Sequence, residues 1–166
     1  MKNSLKIASV ILIVILFSLF TGCAAEKKLT GNLKDIVAKV SETTDFSSAE
    51  FVYSDEERAE DIIYGIYGVE DSSILEDYVI SLKGEGKATS LAIFRFKEKV
   101  DYEAFKEGLK TYYVEGMYSA LKLYIPDQYQ IAENHTFSTY NNAIALIIYD
   151  NDGNKVVSDI IDTFVK

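Results

Sequence analysis

The stretch YVISLKGEGKATSLAIFRF, residues 78–96, decides the fold of this chain of 166 residues. Two runs within it, residues 78–82 and 91–96, alternate in the way that is typical of β-strands, with a period of two. The segment Gly84-Glu85-Gly86-Lys87 between them has the composition of a turn. Because strands joined by a short turn run antiparallel, the stretch predicts a β-hairpin.

A second hairpin is predicted at residues 136–149. Its two strands flank Asn141-Asn142, and asparagine tolerates the positive φ that a tight hairpin turn requires. A helical pattern follows each hairpin. The first helix is capped by Asp101 and stopped by Pro126, with one side formed by Tyr102, Phe105, Leu109, Tyr112, Gly116, Ala120 and Tyr124. The second closes the chain and turns Val156, Val157, Ile160, Ile161, Phe164 and Val165 inward.

Two further helices are predicted ahead of the first hairpin. One begins after Thr30 or Asn32 as its cap and carries Leu33, Ile36, Val37 and Val40 at helical spacing. The other begins with a capping box of Ser54 and Glu57, has the stripe Ala59, Ile62, Ile63 and Ile66, and ends at Gly65 or Gly68. The expected fold class is α+β: a four-stranded antiparallel sheet from two hairpins (strand–strand–helix, twice), helices packed on one face, and two leading helices.

The amino-terminal segment has the features of an export signal. Lys2 and Lys6 precede an apolar run of roughly 14 residues, which is shorter than the about 20 that a membrane-spanning helix needs. Thr21 and Gly22 then lead to Cys23, the only cysteine. Small residues that end in a cysteine resemble the bacterial lipobox, in which the thiol receives a diacylglyceryl group and a peptidase cuts before it.

This interpretation divides the chain into three parts. Residues 1–22 form a lipoprotein signal peptide, residues 23–31 an acylated cysteine with a short linker, and residues 32–166 a single α+β domain. Cleavage is expected between Gly22 and Cys23, and acyl chains on Cys23 would hold the protein at the extracytoplasmic face of the cell membrane. The alternative is a short uncleaved anchor with an incidental cysteine.

The charge of the chain limits its partners. The full chain carries a net charge of −9, and without Lys2 and Lys6 it has 15 basic against 26 acidic residues, or −11. An acidic protein of this kind is not expected to bind nucleic acid or to adhere electrostatically to anionic lipid. Membrane contact is therefore expected to come from the lipid on Cys23.

Residues that could carry chemistry are few. His135 is the only histidine, and no nucleophile–base set or zinc-type cluster is recognisable, so we expect a protein that is not an enzyme and holds no cofactor. Asp150, Asp152 and Asn154 resemble half of a calcium loop. An EF-hand needs Gly and Glu at places six and twelve, where this chain has Lys155 and Ile161, so a turn that caps the last helix is favoured.

Two further groups of residues leave alternatives open. The acid pairs Glu70-Asp71 and Glu76-Asp77 could serve as the carboxylates of a hydrolase, although neighbours in sequence rarely converge on one substrate. The chain has 12 tyrosines, of which some could form an exposed aromatic binding surface while most edge the core. The tyrosines considered are Tyr112, Tyr113, Tyr118, Tyr124, Tyr129 and Tyr140.

Three stretches resemble a known family. YGIYGVEDSSILEDYVISL (residues 64–82), SLAIFRFKEKVDYEAFKEGLK (90–110) and YIPDQYQIAENHTFSTYNNAIALIIYD (124–150) are similar to small lipoproteins of Gram-positive bacteria, catalogued as DUF4358, a domain of unknown function. The resemblance implies the fold and the membrane address and supplies no catalytic residue. We expect a membrane-anchored binding or adaptor module for an unknown envelope protein or small ligand; a carboxylate-dependent envelope hydrolase and a calcium-stabilised module are the alternatives.

Overall fold

The structure, a computed structural model, describes residues 27–44, 46, 49–82, 87–119, 121–150 and 152–166. It contains one five-stranded antiparallel sheet with the strand order β1-β2-β3-β5-β4. The strands are β1 (Glu50–Tyr53), β2 (Leu75–Leu82), β3 (Ser90–Phe96), β4 (Thr136–Tyr140) and β5 (Ala143–Ile148). The mixed helix-and-sheet class and both predicted strand pairs are confirmed, and β3 joins the two pairs by its contact with β5.

The prediction of four strands was wrong, because β1 adds a fifth at the edge of the sheet beside β2. This strand has only four residues, and Val52 is the only one of them that is buried. A single buried side chain gives no visible period of two, which explains why the sequence pattern did not reveal the strand.

The helices are α1 (Leu33–Thr43), α2 (Ala59–Tyr67), α3 (Tyr102–Leu109), a π-helix (Lys110–Met117), α4 (Leu121–Tyr124), α5 (Pro126–Glu133) and α6 (Gly153–Asp162). The predicted caps Asn32 and Asp101 are confirmed, since each accepts hydrogen bonds from the backbone of its helix. The Ser54 capping box was wrong. Glu56 instead accepts a hydrogen bond from the backbone N–H of Tyr53, and α2 begins only at Ala59.

Helices cover both faces of the sheet, so the expectation of one covered face was wrong. On what we call the aromatic face, the buried residues of the strands pack against α2, the end of α3 and the π-helix. On what we call the aliphatic face, they pack against α1 and α6. The cause is visible in β5, where all six residues are buried; a strand that is covered on both sides is apolar at every position.

The aliphatic face also takes up the beginning and the end of the described chain. Leu29 is buried there and forms an antiparallel bridge with Val165. The backbone N–H of Lys28 donates to the carbonyl of Lys166, and the N–H of Lys166 donates back. The packed part of the chain therefore includes residues that the sequence pattern had assigned to the linker.

The long helix predicted after Asp101 is interrupted. Its second half is the π-helix, in which hydrogen bonds span five residues instead of four and the phase of the side chains shifts. As a result Tyr113 is fully buried, whereas Tyr112, which was expected on the inner side, is 48% exposed. The helical region ends at Tyr124, just before Pro126 as predicted, and Pro126 itself opens α5, where its missing N–H has no cost.

Candidate binding site

A pocket of about 220 Å³ lies between the π-helix and α5 on the aromatic side of the molecule. We call it the His135 pocket. Its lining contains five polar or charged side chains and one apolar one: Lys110, Val114, Glu115, Tyr129, Glu133 and His135. Such convergence of titratable groups on a concave surface marks a candidate binding site.

Two helical spacings build this pocket. Lys110 and Glu115 are five residues apart, which is the spacing that a π-helix brings to one side. Tyr129 and Glu133 are four residues apart, the corresponding spacing of the α-helix α5. His135 directly precedes β4. Its Nδ1 lies 3.1 Å from the carbonyl oxygen of Ala132, and this contact positions the ring at the start of the strand.

The lining of the His135 pocket contains charges of both signs. Lys110 Nζ lies 3.6 Å from a carboxylate oxygen of Glu115. A hydrogen bond to the Glu133 carboxylate raises the pKa of the Tyr129 phenol, with the nearby negative charges acting in the same direction. The lining contains two carboxylates and one ammonium group, and the Nζ of Lys122 lies 5.2 Å from the centre of the Tyr129 ring. The two carboxylates are the acceptors that the pocket offers to a cationic or amine-bearing group.

A buried set of hydroxyl groups, which we call the hydroxyl network, lies beneath the π-helix. The network consists of Tyr67, Ser81, Ser90, Tyr113 and Tyr118. The Tyr113 hydroxyl lies 2.9 Å from Ser90 Oγ and 3.2 Å from the Tyr118 hydroxyl. The Tyr118 hydroxyl donates to the carbonyl of Ala88 at 2.9 Å. These bonds attach the π-helix to the strands, and thereby hold the residues that line the His135 pocket.

The tyrosines of the hydroxyl network are not suited to proton transfer. Burial raises the pKa of Tyr118 far above its usual value, and the neighbouring Tyr113 contributes in the same direction. Burial is also the main cause of the raised pKa of Tyr67. Both phenols therefore stay protonated at neutral pH, and their role is to satisfy buried polar groups.

A second pocket, of about 270 Å³, lies alongside α3, beside the loop after α2. Ile74, Phe105 and Leu109 give it an apolar floor, and Glu70 and Asp71 are among its lining residues. Hydrogen bonds from the side chain and backbone of Ser73 lower the pKa of Asp71. This carboxyl is therefore ionised at neutral pH and is a poor candidate for a general acid.

The two predicted acid pairs do not converge. The first pair lines the second pocket, whereas the second pair lines neither of the two pockets described, and Asp77 lies on β2 opposite Arg95 of β3. Burial raises the pKa of Asp77 and the charge of Arg95 opposes that shift, since Arg95 Nε lies 3.2 Å from a carboxylate oxygen. Arg95 also donates to the carbonyl of Gly31, so this ion pair ties the chain before α1 to the sheet.

The candidate calcium residues surround the start of α6. The Asp150 carbonyl accepts from the N–H of Gly153, and Asp152 precedes the helix as an exposed residue. Asn154 is buried, and its side-chain amide donates to the carbonyl of Asn134 at 2.7 Å. Throughout the described ranges, no group of three or more His, Cys, Asp or Glu side chains could hold a metal ion.

Gly22 and Cys23 lie outside the described residues, so the predicted cleavage and lipidation site has no structural description. No helix in the described part of the chain is long and apolar enough to cross a membrane. The six tyrosines considered from the sequence differ in exposure. Tyr113, Tyr118 and Tyr140 are buried, Tyr129 is partly exposed, and Tyr112 and Tyr124 are exposed.

The His135 pocket was missed from the sequence for a definable reason. The α-helical spacing of Tyr129 and Glu133, followed by the only histidine, is a visible signal. The other wall depends on Lys110 and Glu115, which are five residues apart. In an α-helix these two residues would lie on different sides. A pattern search that allowed a π-helix could have brought both walls together.

Comparison with known proteins identifies the part of the chain that is shared with others. No curated protein and no solved structure matches the chain. A family profile, described as Domain of unknown function (DUF4358), matches residues 49–149. The match extends from just before β1 to just after β5 and so includes all five strands, both pockets and the hydroxyl network, while α1 and α6 lie outside it. Since more than half of its residues match, the chain belongs to the DUF4358 family.

Proposed function

We propose that the protein is a lipid-anchored, extracytoplasmic binding module of the cell envelope and that the His135 pocket is its ligand site. The anchor is supported by the sequence before the described residues, where a short apolar run ends in Thr21, Gly22 and Cys23. The observation that carries the binding site is the convergence of five polar side chains on one pocket of about 220 Å³.

The ligand that fits this pocket is a small molecule or peptide end that bears an amine. Glu115 and Glu133 offer carboxylate acceptors, of which Glu115 is paired with Lys110. The Tyr129 phenol provides a flat amphipathic wall, which suits the recognition of a group with both apolar and polar parts.

The hydrolase alternative receives less support from the geometry. A carboxylate-dependent hydrolase needs one carboxyl group that remains protonated and a second one beside it. Asp71 has a lowered pKa, and Asp77, whose pKa is raised, is paired with Arg95 and lines neither pocket. We therefore propose binding and not hydrolysis.

The anchor is tested by Cys23→Ala in the full chain, with wild-type protein and a Ser18→Ala variant as controls. Cys23→Ala removes the acylation site and leaves the basic start and the apolar run intact. We expect it to incorporate no labelled fatty acid and to keep its higher, unprocessed mass. If wild-type protein carries no lipid and has the same mass as the variant, the anchor is contradicted.

The ligand site is tested with short peptides that carry a free amine and with the same peptides after N-acetylation. The single histidine gives one pair of imidazole proton signals in NMR, which reports directly on the pocket. We expect the free amines to shift these signals and the acetylated peptides to have little effect. Glu133→Gln should weaken binding several-fold, whereas Asp127→Asn, on the same helix outside the pocket, should not. Equal shifts with both peptide forms would contradict the proposed site.

A further inference from the structure

The two ends of the sheet differ in what surrounds them. At one end lie the last residues of β1, β3 and β4 and the first residues of β2 and β5. The N–H of Asn141, in the β4–β5 turn, donates to the carbonyl of Lys27, so the described chain enters the fold here. We call this the tether end. The His135 pocket lies at the opposite, far end, because His135 directly precedes β4.

The link between Cys23 and this entry point is short. Only Ala24, Ala25 and Glu26 separate Cys23 from Lys27. Four residue steps extend at most about 14 Å. The β4–β5 turn, which is hydrogen-bonded to Lys27, can therefore not lie far from an anchor on Cys23.

Exposed lysines surround the tether end. Lys27 and Lys28 lie at the entry of the chain, and Lys166 is paired with Lys28 through the backbone. Lys97 and Lys99 follow β3, whose last residue, Phe96, donates its N–H to Asn142 in the same turn. At a membrane surface such lysines are attracted by anionic headgroups over about a Debye length.

The tether end also contains acidic groups, and several of them form ion pairs or hydrogen bonds within the protein. Asp55 pairs with Lys34, while Asp71 and Asp101 accept hydrogen bonds from backbone N–H groups. Other acids near these strand ends, Glu57, Glu70, Glu76, Glu98 and Glu103, are exposed. The far end carries the exposed acids Glu115, Glu133, Asp150 and Asp152 together with the exposed lysines Lys87 and Lys155. Both ends therefore carry charges of both signs, and the tether end differs in that Lys27 and Lys28 lie next to the proposed anchor.

We propose that the tether end lies on the membrane surface, with its lysines at anionic lipid headgroups, and that the His135 pocket faces away from the bilayer. Strand β4 and its turn separate the two sites by about 20 Å. The pocket is then open to partners in the envelope. This orientation rests on the proposed anchor at Cys23.

The orientation is tested by two single-tryptophan variants, because the chain has no tryptophan of its own. Glu98→Trp places the probe at the tether end, and Asp152→Trp replaces another exposed acid, at the far end. The full-length gene product is purified from membranes and inserted into vesicles of phosphatidylcholine and phosphatidylglycerol that contain a headgroup-labelled quencher lipid. We expect several-fold stronger quenching of Glu98→Trp. Equal quenching, or stronger quenching of Asp152→Trp, would overturn the proposal.

Failure of the anchor and failure of the orientation are distinguishable. The intact mass shows whether Cys23 carries lipid. If it does not, the anchor fails, and the only thiol of the chain is then coupled to a maleimide lipid so that the same quenching comparison decides the orientation. The contribution of the lysines is read from Lys28→Gln/Lys99→Gln, which should reduce quenching of Glu98→Trp on anionic vesicles only. The far-end control Lys87→Gln/Lys155→Gln should not, and an equal effect of both pairs would contradict the role of the lysines.

Discussion

The aliphatic face and the aromatic face of the sheet are closed in different ways. On the aliphatic face, α1 and α6 bury branched side chains such as Ile36, Val40 and Ile161 against the strands. On the aromatic face, large rings such as Tyr67 and Tyr113 bring hydroxyl groups into the core, where every one needs a partner. The aliphatic face has one such hydroxyl, that of Tyr140, which donates to Asp162. The connected network of buried hydroxyl groups is on the aromatic face.

The difference coincides with the extent of the family. The family match includes the helices of the aromatic face and both pockets, and it ends before α6 begins. The aliphatic face instead receives the entry of the chain and its carboxyl end. The proposed binding site therefore lies on the aromatic face, and both ends of the described chain lie on the aliphatic face.

The largest expected effect is the loss of stability when a fully buried apolar side chain is truncated. It should be similar on the two faces, so it is the reference for the other variants. Phe94→Ala on the aromatic face should lower the free energy of unfolding by about 3–5 kcal/mol, and Ile161→Ala on the aliphatic face by about 2–5 kcal/mol. Both side chains are fully buried. Leu123→Ala, at an 83% exposed position, should change it by less than about 0.5 kcal/mol. Urea denaturation measures all three; a loss on one face only would contradict the two-sided core.

Removal of a single hydroxyl oxygen from the hydroxyl network should lower the free energy of unfolding, an effect specific to the aromatic face. Tyr118→Phe leaves the carbonyl of Ala88 and the hydroxyl of Tyr113 without this partner, at a cost of about 1–3 kcal/mol. Tyr124→Phe is the matched control, because Tyr124 is 82% exposed. Equal stability of the two variants by urea denaturation would show that the hydroxyl network does not contribute.

Alkaline pH should weaken the aromatic face through the same tyrosines. Burial raises the pKa of Tyr67 and Tyr118 above the value of about 10 that they have in the unfolded chain. Their contribution is complete below pH ~10 and is lost above it, because the unfolded chain then binds fewer protons than the folded one. The free energy of unfolding should fall by up to ~1.4 kcal/mol per pH unit and tyrosine. Tyr118→Phe should reduce this slope; a stability that is constant to about pH 11 would contradict the expectation.

The smallest expected effect concerns two glycines of the segment that leads into the second pocket. Gly68 has a φ of 69°, and a Cβ there would meet the Tyr112 ring at 2.4 Å. Gly68→Ala should therefore lower the free energy of unfolding by about 1–2 kcal/mol. Gly65 lies inside α2 with no atom near its Cβ position, so Gly65→Ala should raise it by about 0.5–1 kcal/mol. Thermal unfolding measures both, and effects of the same sign would contradict the described end of α2.

Local sequence signals predicted the parts of the fold that local interactions determine. The caps Asn32 and Asp101 act within two or three residues, and the turn at Asn141 is formed by adjacent strands, so their patterns were sufficient. The second covered face has a signal in β5, whose six residues contain no polar one, and the prediction of one covered face overlooked it.

The features that were missed depend on distant parts of the chain. Strand β1 is stabilised by its pairing with β2, and its four residues are too few to show an alternation with a period of two. The π-helix is held by bonds of Tyr113 and Tyr118 to residues around the first hairpin, which no spacing within the helix reveals. The His135 pocket depends on that helix, so a search limited to α-helical spacing does not bring its two walls together.

Hydrogen–deuterium exchange of Tyr118→Phe, read at single amides, tests the separation of the two faces most directly. The substitution removes one oxygen from the hydroxyl network and leaves α1 and α6 without any changed contact. We predict faster amide exchange in the π-helix, Lys110–Met117. The amides of α1 should exchange no faster than the loss of global stability in the variant requires. Uniform acceleration in the π-helix, α1 and α6 would show that the sheet and its helices open as one unit, and would contradict the independent role of the aromatic face.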